Sequence, residues 1–238
     1  MSDVRGTGLA PAAAETTAVP PATQQRPGRI GILGGTFDPV QVGHLAAGEE
    51  ARELLGLERV LFVPAGEPWQ KAGRAISPAE DRVAMLELAL AGNPWFEVST
   101  IEVDRPGPSY SVDTVEALAA AQRSAGHEPD VWFILSAEAA HGLATWHRPE
   151  RLLAACRLAV VPRPGAAPFD PAELEAIAPG STDRAVVLDA PRLDLSGTAI
   201  RARIRAGRST RYLVPDPVAA YIAAHGLYRP SHQEEHPS

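Results

Sequence analysis

The sequence predicts an α/β fold, in which a doubly wound parallel sheet carries helices on both faces within a single domain. Two observations predict this class. Short apolar runs alternate with longer segments of helical periodicity from residue 29 onward, and the first apolar run ends in a pair of glycines shortly before a helix. Alternation of strand and helix along a whole domain makes the strands parallel, and helices cover both faces of such a sheet.

The strand predictions come from short apolar runs that are rich in Val, Ile, Leu and Phe. They comprise residues 29–33, 59–63, 96–99, 131–135, 158–161 and 185–188.

The helix predictions come from apolar spacing and from start and stop signals. Ser77-Pro78 is typical of a helix start, and Gly56, Gly126 and Gly226 each follow a helical segment, where a left-handed closing residue is favoured. The predicted helices comprise residues 42–55, 79–91, 111–125, 149–155, 171–178, 198–206 and 217–225.

The overall charge argues against a polyanionic partner. The 238 residues contain 29 acidic and 22 basic side chains, a net charge of −7, so we expect neither nucleic acid nor an anionic membrane surface as a partner. No apolar run reaches the roughly 18 residues of a membrane span. The single cysteine, Cys156, leaves no internal disulfide, and no Cys and His spacing fits a zinc site. These features favour a reducing compartment, the cytoplasm.

The two ends of the chain differ in composition from the rest. Residues 1–28 are mainly Ala, Pro, Thr, Gly and Gln with almost no large apolar side chain, and residues 230–238 are polar. Such segments bury too little surface to offset the entropy lost on ordering. The first segment also lacks the basic start and apolar stretch of a secretory signal. The sequence therefore predicts disordered tails on either side of a domain of residues 29–229.

The turn after the first strand predicts a phosphate site. Gly34 and Gly35 allow the backbone to approach an anion closely, Thr36 offers a hydroxyl, and His44 lies in the first turn of the next helix. Open α/β sheets bind ligands at this end of their strands. The turn is neither a G-x-G-x-x-G fingerprint nor a Walker loop, since the chain contains no Gly-Lys pair. The residues alone also allow a plain tight turn with His44 as a core or capping residue.

Lys71 is the single lysine among the 22 basic residues. Codon bias in a GC-rich genome explains the excess of arginine. A lysine that persists against this bias also fits a position where a compact ammonium, rather than a planar guanidinium, contacts a phosphate.

The segment from Gly34 to His44 carries a known signature. Its residues Gly34-Gly35-Thr36-Phe37-Asp38-Pro39-x-x-x-Gly43-His44 resemble the GGTFDPxHxGH motif of the nucleotidyltransferases that adenylylate nicotinate mononucleotide. The ordered set of resembling blocks is specific, although each block alone is weak, and it implies a Rossmann-like fold. The further blocks, which follow the family's order, are residues 63–71, 107–114, 133–138 with Trp146, 163–165, 195–201 and 212–215.

This resemblance implies an enzyme of NAD biosynthesis that joins nicotinate mononucleotide to ATP, giving nicotinate adenine dinucleotide and pyrophosphate. The attacking phosphate is already an anion, so the reaction needs neither a general base nor a covalent intermediate. Catalysis then depends on positioning and on stabilisation of charge. The implied cofactor is Mg²⁺ carried by the ATP phosphates, with no metal-binding residue in the protein. The implied partners are ATP and nicotinate mononucleotide, with a homo-oligomer left open.

The resemblance also implies the site residues. His44, Gln41 and Lys71 are the implied catalytic residues. The residues implied for the mononucleotide are Thr36, Lys71, Ser111, Trp146 and His147. The residues implied for ATP are Gly34, Gly35, Thr36, Phe37, His44, Ser136, Glu138, Arg163, Ser196, Thr198 and Arg201. Ser196 and Thr198 also make sense from the residues alone, because hydroxyls just before a helix suit a phosphate.

Four residues, in three of the motifs, depart from the family pattern. Gln41 replaces the first histidine of the HxGH motif, Ser136-Ala137-Glu138 replaces Gly-Ala-Asp, and Gly197 replaces a serine. A glutamine donates a hydrogen bond but cannot become cationic. Two alternatives therefore stay open: a degenerate nucleotide-binding paralogue with little turnover, and a nucleotidyltransferase for another phosphorylated acceptor.

Overall fold

The computed structural model describes residues 26–68 and 75–229. Six strands form one sheet in which every neighbouring pair is parallel. Each overlaps the strand predicted at its place, which confirms the predicted parallel sheet. The strands are β1 (Arg29–Gly35), β2 (Arg59–Pro64), β3 (Phe96–Val98), β4 (Asp130–Ser136), β5 (Arg157–Val161) and β6 (Ala185–Val187).

Helices connect the strands, and six of the seven predicted helices agree with the structure to within about two residues. The predicted closing residues Gly56, Gly126 and Gly226 all have positive φ, at 64°, 82° and 63°. The α-helices are α1 (Val42–Leu55), α2 (Ala79–Leu90), α3 (Ser111–Ser124), α4 (Ala137–His141), α5 (Pro149–Ala155), α6 (Gly197–Arg205) and α7 (Asp216–Ala224).

Two helical segments differ from the prediction. The α-helix predicted for residues 171–178 is a 3-10 helix, Pro171–Ala176, in which backbone bonds such as Ile177 N to Leu174 O span three residues. Such tight bonding is usual in a short segment. The prediction also missed α4, which has only five residues and therefore too few positions to show a helical period.

The core lies in two layers, one on each face of the sheet. On one face, strand residues such as Ile32 and Phe133 pack with α3, α4 and α5. On the other face, residues such as Phe62 and Ile134 pack with α1, α2, α6 and α7. Neighbouring residues of one strand point to opposite faces, so both layers draw on the same strands. The predicted coverage of both faces, and with it the doubly wound architecture, is confirmed.

The strand order β3-β2-β1-β4-β5-β6 creates the crevice of the fold. The chain builds the sheet outward from β1 in one direction and, after α3, from β4 in the other. The loops that leave the carboxyl ends of β1 and β4 therefore diverge, and ligands of doubly wound sheets bind at this point. Gly35 and Ser136 are the last residues of these two strands.

The first described residues contact the domain. Arg26 N donates to Gly56 O at 3.0 Å, and the Gln122 side-chain amide donates to Gly28 O. The rest of the predicted tails, residues 1–25 and 230–238, lies outside the described residues. Among the helices that the structure describes, none is long and apolar enough to cross a membrane.

Candidate active site

The turn after β1 is shaped by one buried aromatic ring. Phe37 has a φ of 51°, in the left-handed region that non-glycine residues seldom adopt, and its ring is buried. A Cβ at Gly35 would lie 3.2 Å from this ring, so a side chain at this position would require the ring to shift by a few tenths of an ångström. The ring also packs against Phe62, at a centroid distance of 6.0 Å. The Phe37 ring therefore occupies the space next to Gly35, and the glycine lets the backbone of the turn pass close to this ring.

His44 lies in the first turn of α1 with a defined tautomer. Its Nδ1 accepts a hydrogen bond from the backbone N–H of Gln41 at 3.2 Å. An imidazole nitrogen that accepts carries no proton, so Nε2 carries the ring proton in the neutral form and can donate. The edge of the Phe37 ring contacts the imidazole at a centroid distance of 4.9 Å and fixes its plane. The ring is thus oriented as a hydrogen-bond donor without needing a positive charge.

A polar cavity of about 550 Å³ opens beside this turn. It lies at the carboxyl ends of the strands, between the starts of α1 and α6. The structure brings together here nine of the eleven residues that the sequence predicted for ATP, together with Gln41. The predicted residues that line the cavity are Gly35, Thr36, Phe37, Gln41, His44, Glu138, Arg163, Ser196, Thr198 and Arg201.

We call this 550 Å³ cavity the phosphate cavity, after the phosphate site that the sequence predicts for the turn after β1. Arg163 forms one of its walls. Its Nη1 donates to Glu138 Oε2 at 3.1 Å, and its Nη2 donates to Leu195 O at 2.8 Å. The Gln41 side-chain nitrogen donates to the same carbonyl at 3.3 Å. Gln41 is 7% exposed, and its Oε1 has no hydrogen-bond partner within the part of the chain that the structure describes.

The start of α6 forms the opposite wall. The Ser196 hydroxyl accepts from Ala199 N at 3.2 Å and so caps the helix. Arg201 Nη1 donates to Asp38 O at 2.6 Å, and Nη2 donates to Thr198 Oγ1 at 3.4 Å. A Cβ at Gly197 would lie 2.9 Å from Asp38 O. The departure at Gly197 is therefore explained by packing, because any side chain there would displace the carbonyl that holds Arg201.

The Ser136 side chain bonds the helix that directly follows it. Ser136 ends β4, and its hydroxyl accepts from Ala139 N at 3.3 Å, which caps α4. A serine in place of the family's glycine thus stabilises the start of this short helix.

A second cavity, of about 230 Å³, joins the first across Gly35 and Thr36, which line both. We call it the aromatic cavity because four of the residues that line it carry aromatic rings. The predicted residues Gly34, Ser111, Trp146 and His147 line it, together with the aromatic residues Tyr110 and Phe133.

The rings of the aromatic cavity hold one another in place. The Trp146 ring stands edge-on to Phe133 at a centroid distance of 5.9 Å, and His147 stacks on Tyr110 at 4.1 Å. Ser111 is the first residue of α3, so the positive end of that helix faces the cavity. This pocket suits a flat ring with an anionic substituent.

Two buried charged residues at the site were missed by the sequence prediction. Glu102 lines the aromatic cavity and accepts from Thr114 Oγ1 at 2.7 Å. Burial raises the pKa of Glu102, while the Thr114 bond opposes this rise. Nothing in the sequence signals that Glu102 is buried beside this cavity, because it lies in an irregular segment between β3 and α3.

Arg82, on α2, is the second of these residues and is 2% exposed. Its guanidinium donates to three carbonyl oxygens: Thr36 O at 3.0 Å, Gly66 O at 3.4 Å and Ser77 O at 3.0 Å. Burial lowers the pKa of Arg82, and the nearby Asp38 carboxylate opposes the shift. A sequence signal existed, since position 82 shares a helical face with the buried Met85 and Leu86.

Lys71, predicted as a catalytic residue, lies outside the described residues. Within residues 26–68 and 75–229, no group of three or more His, Cys, Asp or Glu side chains could hold a metal ion. The two carboxylates that border the phosphate cavity, Asp38 and Glu138, are each hydrogen-bonded to other side chains of the chain.

The parallel sheet, with a polar cavity between two helix starts, is typical of nucleotide-binding enzymes. The chain belongs to the cytidylyltransferase-like family, which matches residues 32–203. Within this class it belongs with the nicotinate-nucleotide adenylyltransferases, as the sequence resemblance predicted.

Two curated relatives and one solved structure illustrate this similarity. Each relative bears the name "Probable nicotinate-nucleotide adenylyltransferase". The protein from Roseiflexus sp. (strain RS-1) is 50% identical over 200 residues, covering 84% of this chain and 98% of the relative. The protein from Acidothermus cellulolyticus is 45% identical over 205 residues, covering 86% and 96%. The Plasmodium falciparum nicotinic acid mononucleotide adenylyltransferase, solved with NaAD, is 15% identical with a TM-score of 0.70, covers 84% of this chain and 97% of its own, and shares the fold.

Proposed function

We propose that this protein transfers the adenylyl group of ATP to nicotinate mononucleotide, giving nicotinate adenine dinucleotide and pyrophosphate, a step of NAD biosynthesis. One observation carries the proposal: a polar cavity and an aromatic cavity meet at Gly35 and Thr36, which line both. A triphosphate in the first cavity and a mononucleotide in the second would bring their phosphates together at this junction. Holding two reactants in this way supplies much of the rate gain for such a transfer.

The phosphate cavity offers donors suited to a triphosphate. Arg163 and Arg201 supply guanidinium groups, Thr198 supplies a hydroxyl, and His44 supplies its Nε2 proton. The starts of α1 and α6 add the positive ends of two helix dipoles. These groups would bind ATP and stabilise the charge that develops on the leaving pyrophosphate.

The aromatic cavity suits the pyridine mononucleotide. The Trp146 indole can stack on a pyridine ring, and the positive end of α3 at Ser111 favours the anionic carboxylate of nicotinate over a neutral carboxamide.

The chemical step requires little from the side chains. An oxygen of the mononucleotide phosphate forms a bond to the α-phosphorus of ATP. The bond from that phosphorus to the oxygen bridging to the β-phosphate breaks, and its electron pair leaves with pyrophosphate. We propose that His44 and Arg201 stabilise this charge and that no side chain removes a proton. Mg²⁺ would enter with ATP, bound to its phosphates. A cytoplasmic location, where both substrates are available, belongs to the same proposal.

The direct test is release of pyrophosphate from ATP with a panel of phosphorylated acceptors. We expect release with nicotinate mononucleotide and a much lower rate with nicotinamide mononucleotide. A non-pyridine acceptor, flavin mononucleotide, and CTP in place of ATP test the alternative of another nucleotidyltransferase reaction. Binding of ATP without release for any acceptor would instead support the degenerate paralogue.

Trp146→Ala separates the two cavities. We expect it to weaken nicotinate mononucleotide binding by about threefold to tenfold, since a stacked ring contributes roughly 0.5–1.5 kcal/mol beyond its buried area, while the Kd of ATP stays nearly unchanged. Trp95→Ala is the matched control, because Trp95 packs under Arg52 directly before β3, at the other end of the sheet. Equal weakening of both substrates would assign Trp146 to packing alone. Calorimetric titration of each substrate measures both constants.

A further inference from the structure

A tyrosine from the end of the domain reaches the phosphate cavity. Tyr228 lies beyond the end of α7, and its hydroxyl donates to Asp38 Oδ1 at 2.6 Å across 190 residues of sequence. Asp38 lines the phosphate cavity and is 7% exposed. This contact connects the C-terminal segment to the turn that follows β1.

Asp38 in turn holds Arg201. The Asp38 carbonyl accepts from Arg201 Nη1 at 2.6 Å, and the carboxylate Oδ2 lies 3.8 Å from the same nitrogen. The two carboxylate oxygens thus have different neighbours, with Oδ1 on the Tyr228 hydroxyl and Oδ2 toward Arg201. Arg201 is the guanidinium that the start of α6 presents to the cavity.

The fold places the tyrosine ring firmly. Leu227 N donates to Ile222 O at 3.1 Å, and both Leu227 and Tyr228 pack against the core layer formed by α1, α2, α6 and α7. The side chain of Ser77, two residues before α2, also hydrogen-bonds to the Tyr228 side chain. Burial and the Asp38 carboxylate raise the pKa of Tyr228, so the phenol stays protonated and can donate at neutral pH.

We propose that Tyr228 is a positioning residue of the phosphate cavity, which fixes the Asp38 carboxylate and thereby keeps the Arg201 guanidinium available to ATP. The proposal rests on the proposed function only in taking ATP as the ligand. Without the hydroxyl, the Asp38 carboxylate loses its neutral donor and turns toward Arg201, whose Nη1 lies 3.8 Å from Oδ2. A closer ion pair neutralises that guanidinium and draws it away from the phosphates, since charge-assisted hydrogen bonds are strong where water is scarce.

The chain offers a matched control. The Tyr221 hydroxyl donates to Asp81 Oδ1 at 2.8 Å, so it is a second tyrosine–carboxylate bond that joins the C-terminal region to the rest of the domain. Asp81 lies on α2, and this pair has no contact with Arg201. Tyr221→Phe therefore removes the same group and the same kind of bond without touching the phosphate cavity.

The experiment measures the Kd of MgATP by calorimetry, the KM of ATP and kcat, and the Tm, for Tyr228→Phe and Tyr221→Phe. We expect Tyr228→Phe to raise the Kd and KM of ATP by about tenfold, a typical loss for one hydrogen bond to a charged group, with a smaller change in kcat. Tyr221→Phe also removes a tyrosine–carboxylate bond, so it should lower the Tm, and it should leave the Kd and the KM of ATP unchanged. Equal effects of the two variants on ATP, or no effect of Tyr228→Phe, would overturn the proposal.

A double-mutant cycle with Arg201→Met tests the route of the effect. If Tyr228 acts through the charge of Arg201, the loss of ATP affinity caused by Tyr228→Phe largely disappears in the Arg201→Met background, because no cation is left at position 201 for Asp38 to neutralise. If the two substitutions lower the affinity for ATP by independent factors that multiply in the double variant, the proposal is overturned. Calorimetry measures binding and needs no turnover, so the Kd comparisons can be made even if the wild-type protein releases no pyrophosphate with nicotinate mononucleotide. That result would contradict the proposed function and would leave the proposal about Tyr228 open to test.

Discussion

His44 has two ring nitrogens with different tasks. Nδ1 accepts from the Gln41 backbone, so the ring proton lies on Nε2, and a ring held this way can donate to a phosphoryl oxygen at any pH at which it is neutral. We expect His44→Ala to lower kcat by about 10²–10³, the usual cost of losing one transition-state donor, with little change in Tm.

Two variants sharpen the His44 prediction. His44→Gln places an amide N–H near the position of Nε2, so it should retain more activity than alanine. His225→Ala is the control, since His225 lies directly after α7, where its Nδ1 bonds Tyr221 O and its ring stacks on the Tyr221 ring. A His44→Ala enzyme with more than half of the wild-type kcat would contradict the role assigned to the imidazole.

Gln41 shows how one departure from the family pattern is accommodated. Its amide nitrogen donates to Leu195 O, and its buried Oε1 has no partner among the residues that the structure describes. An unpaired buried acceptor costs roughly 1–3 kcal/mol. The residue thus helps to hold Leu195 but contributes no charge to the cavity.

Gln41→His should raise turnover for two reasons. An imidazole N–H can keep the bond to Leu195 O while removing the unpaired oxygen, and a protonated imidazole adds positive charge beside the phosphates. We expect about a tenfold gain in kcat, or about 1–1.5 kcal/mol, that grows as the pH falls through the titration of the imidazole. Steady-state kinetics from pH 5.5 to 8 check this, within the usual range of histidine titration. A flat pH profile with unchanged kcat would mean that Gln41 already serves the site fully.

At the scale of secondary structure, α2 holds the loops after β1 and β2 in place through hydrogen bonds from Arg82. Arg82 donates to Thr36 O after β1 and to Gly66 O after β2. Thr36 lines both cavities, so a shift of this carbonyl would disturb both substrates. Lysine keeps the charge but cannot span several carbonyls as a guanidinium does. We expect Arg82→Lys to lower kcat/KM for ATP and for the mononucleotide alike, and to destabilise the fold by about 1–3 kcal/mol.

A second buried arginine provides the control for Arg82. Arg29 is 8% exposed, bonds Leu55 O at 2.7 Å and Asp130 Oδ2 at 2.6 Å, and begins β1 at the end opposite the site. Arg29→Lys should cost similar stability in a denaturant titration and leave kcat/KM unchanged. If both variants lose activity in proportion to stability, Arg82 has no role beyond the fold.

The sequence predicted those elements whose signals are local. Helix 42–55 and helix 149–155 agree with the structure residue for residue, because apolar spacing and start signals lie within the segment itself. The motif residues around Gly34 and His44 were likewise found from contiguous sequence. Arg82 and Tyr228 were missed because their partners, Thr36 and Asp38, lie 46 and 190 residues away. The face that Arg82 shares with Met85 and Leu86 signals its burial, but the bonding partners of Arg82 and Tyr228 are set by the tertiary fold, and no local pattern encodes them.

At the scale of the whole molecule, strand order turns separate motifs into one site. Alternation of strand and helix predicts a parallel sheet but does not predict the order of the strands. The observed order makes β1 and β4 neighbours, with Ile32 opposite Phe133 in the register. This pairing brings the turn after β1 to Ser136 and the segment around Trp146. The cavities that Gly35 and Thr36 share therefore exist only once the two halves of the sheet have met.

The boundary of the folded unit can be tested at the same scale. The sequence places the end of the N-terminal tail at residue 28, whereas the structure has contacts from residue 26: Arg26 N bonds Gly56 O, Gly28 N bonds Glu58 Oε2, and Gln122 bonds Gly28 O. We expect deletion of residues 2–25 to leave the Tm and kcat unchanged, since that composition offers almost no apolar surface to bury. Deletion of residues 2–28 should lower the Tm by several degrees, because about three hydrogen bonds of roughly 1 kcal/mol each are lost. Scanning calorimetry of the two truncated proteins distinguishes the boundaries. If both truncated proteins have the Tm of the full-length chain, the boundary lies at residue 28. If the protein without residues 2–25 has a lower Tm than the full-length chain, residues before 26 also stabilise the domain.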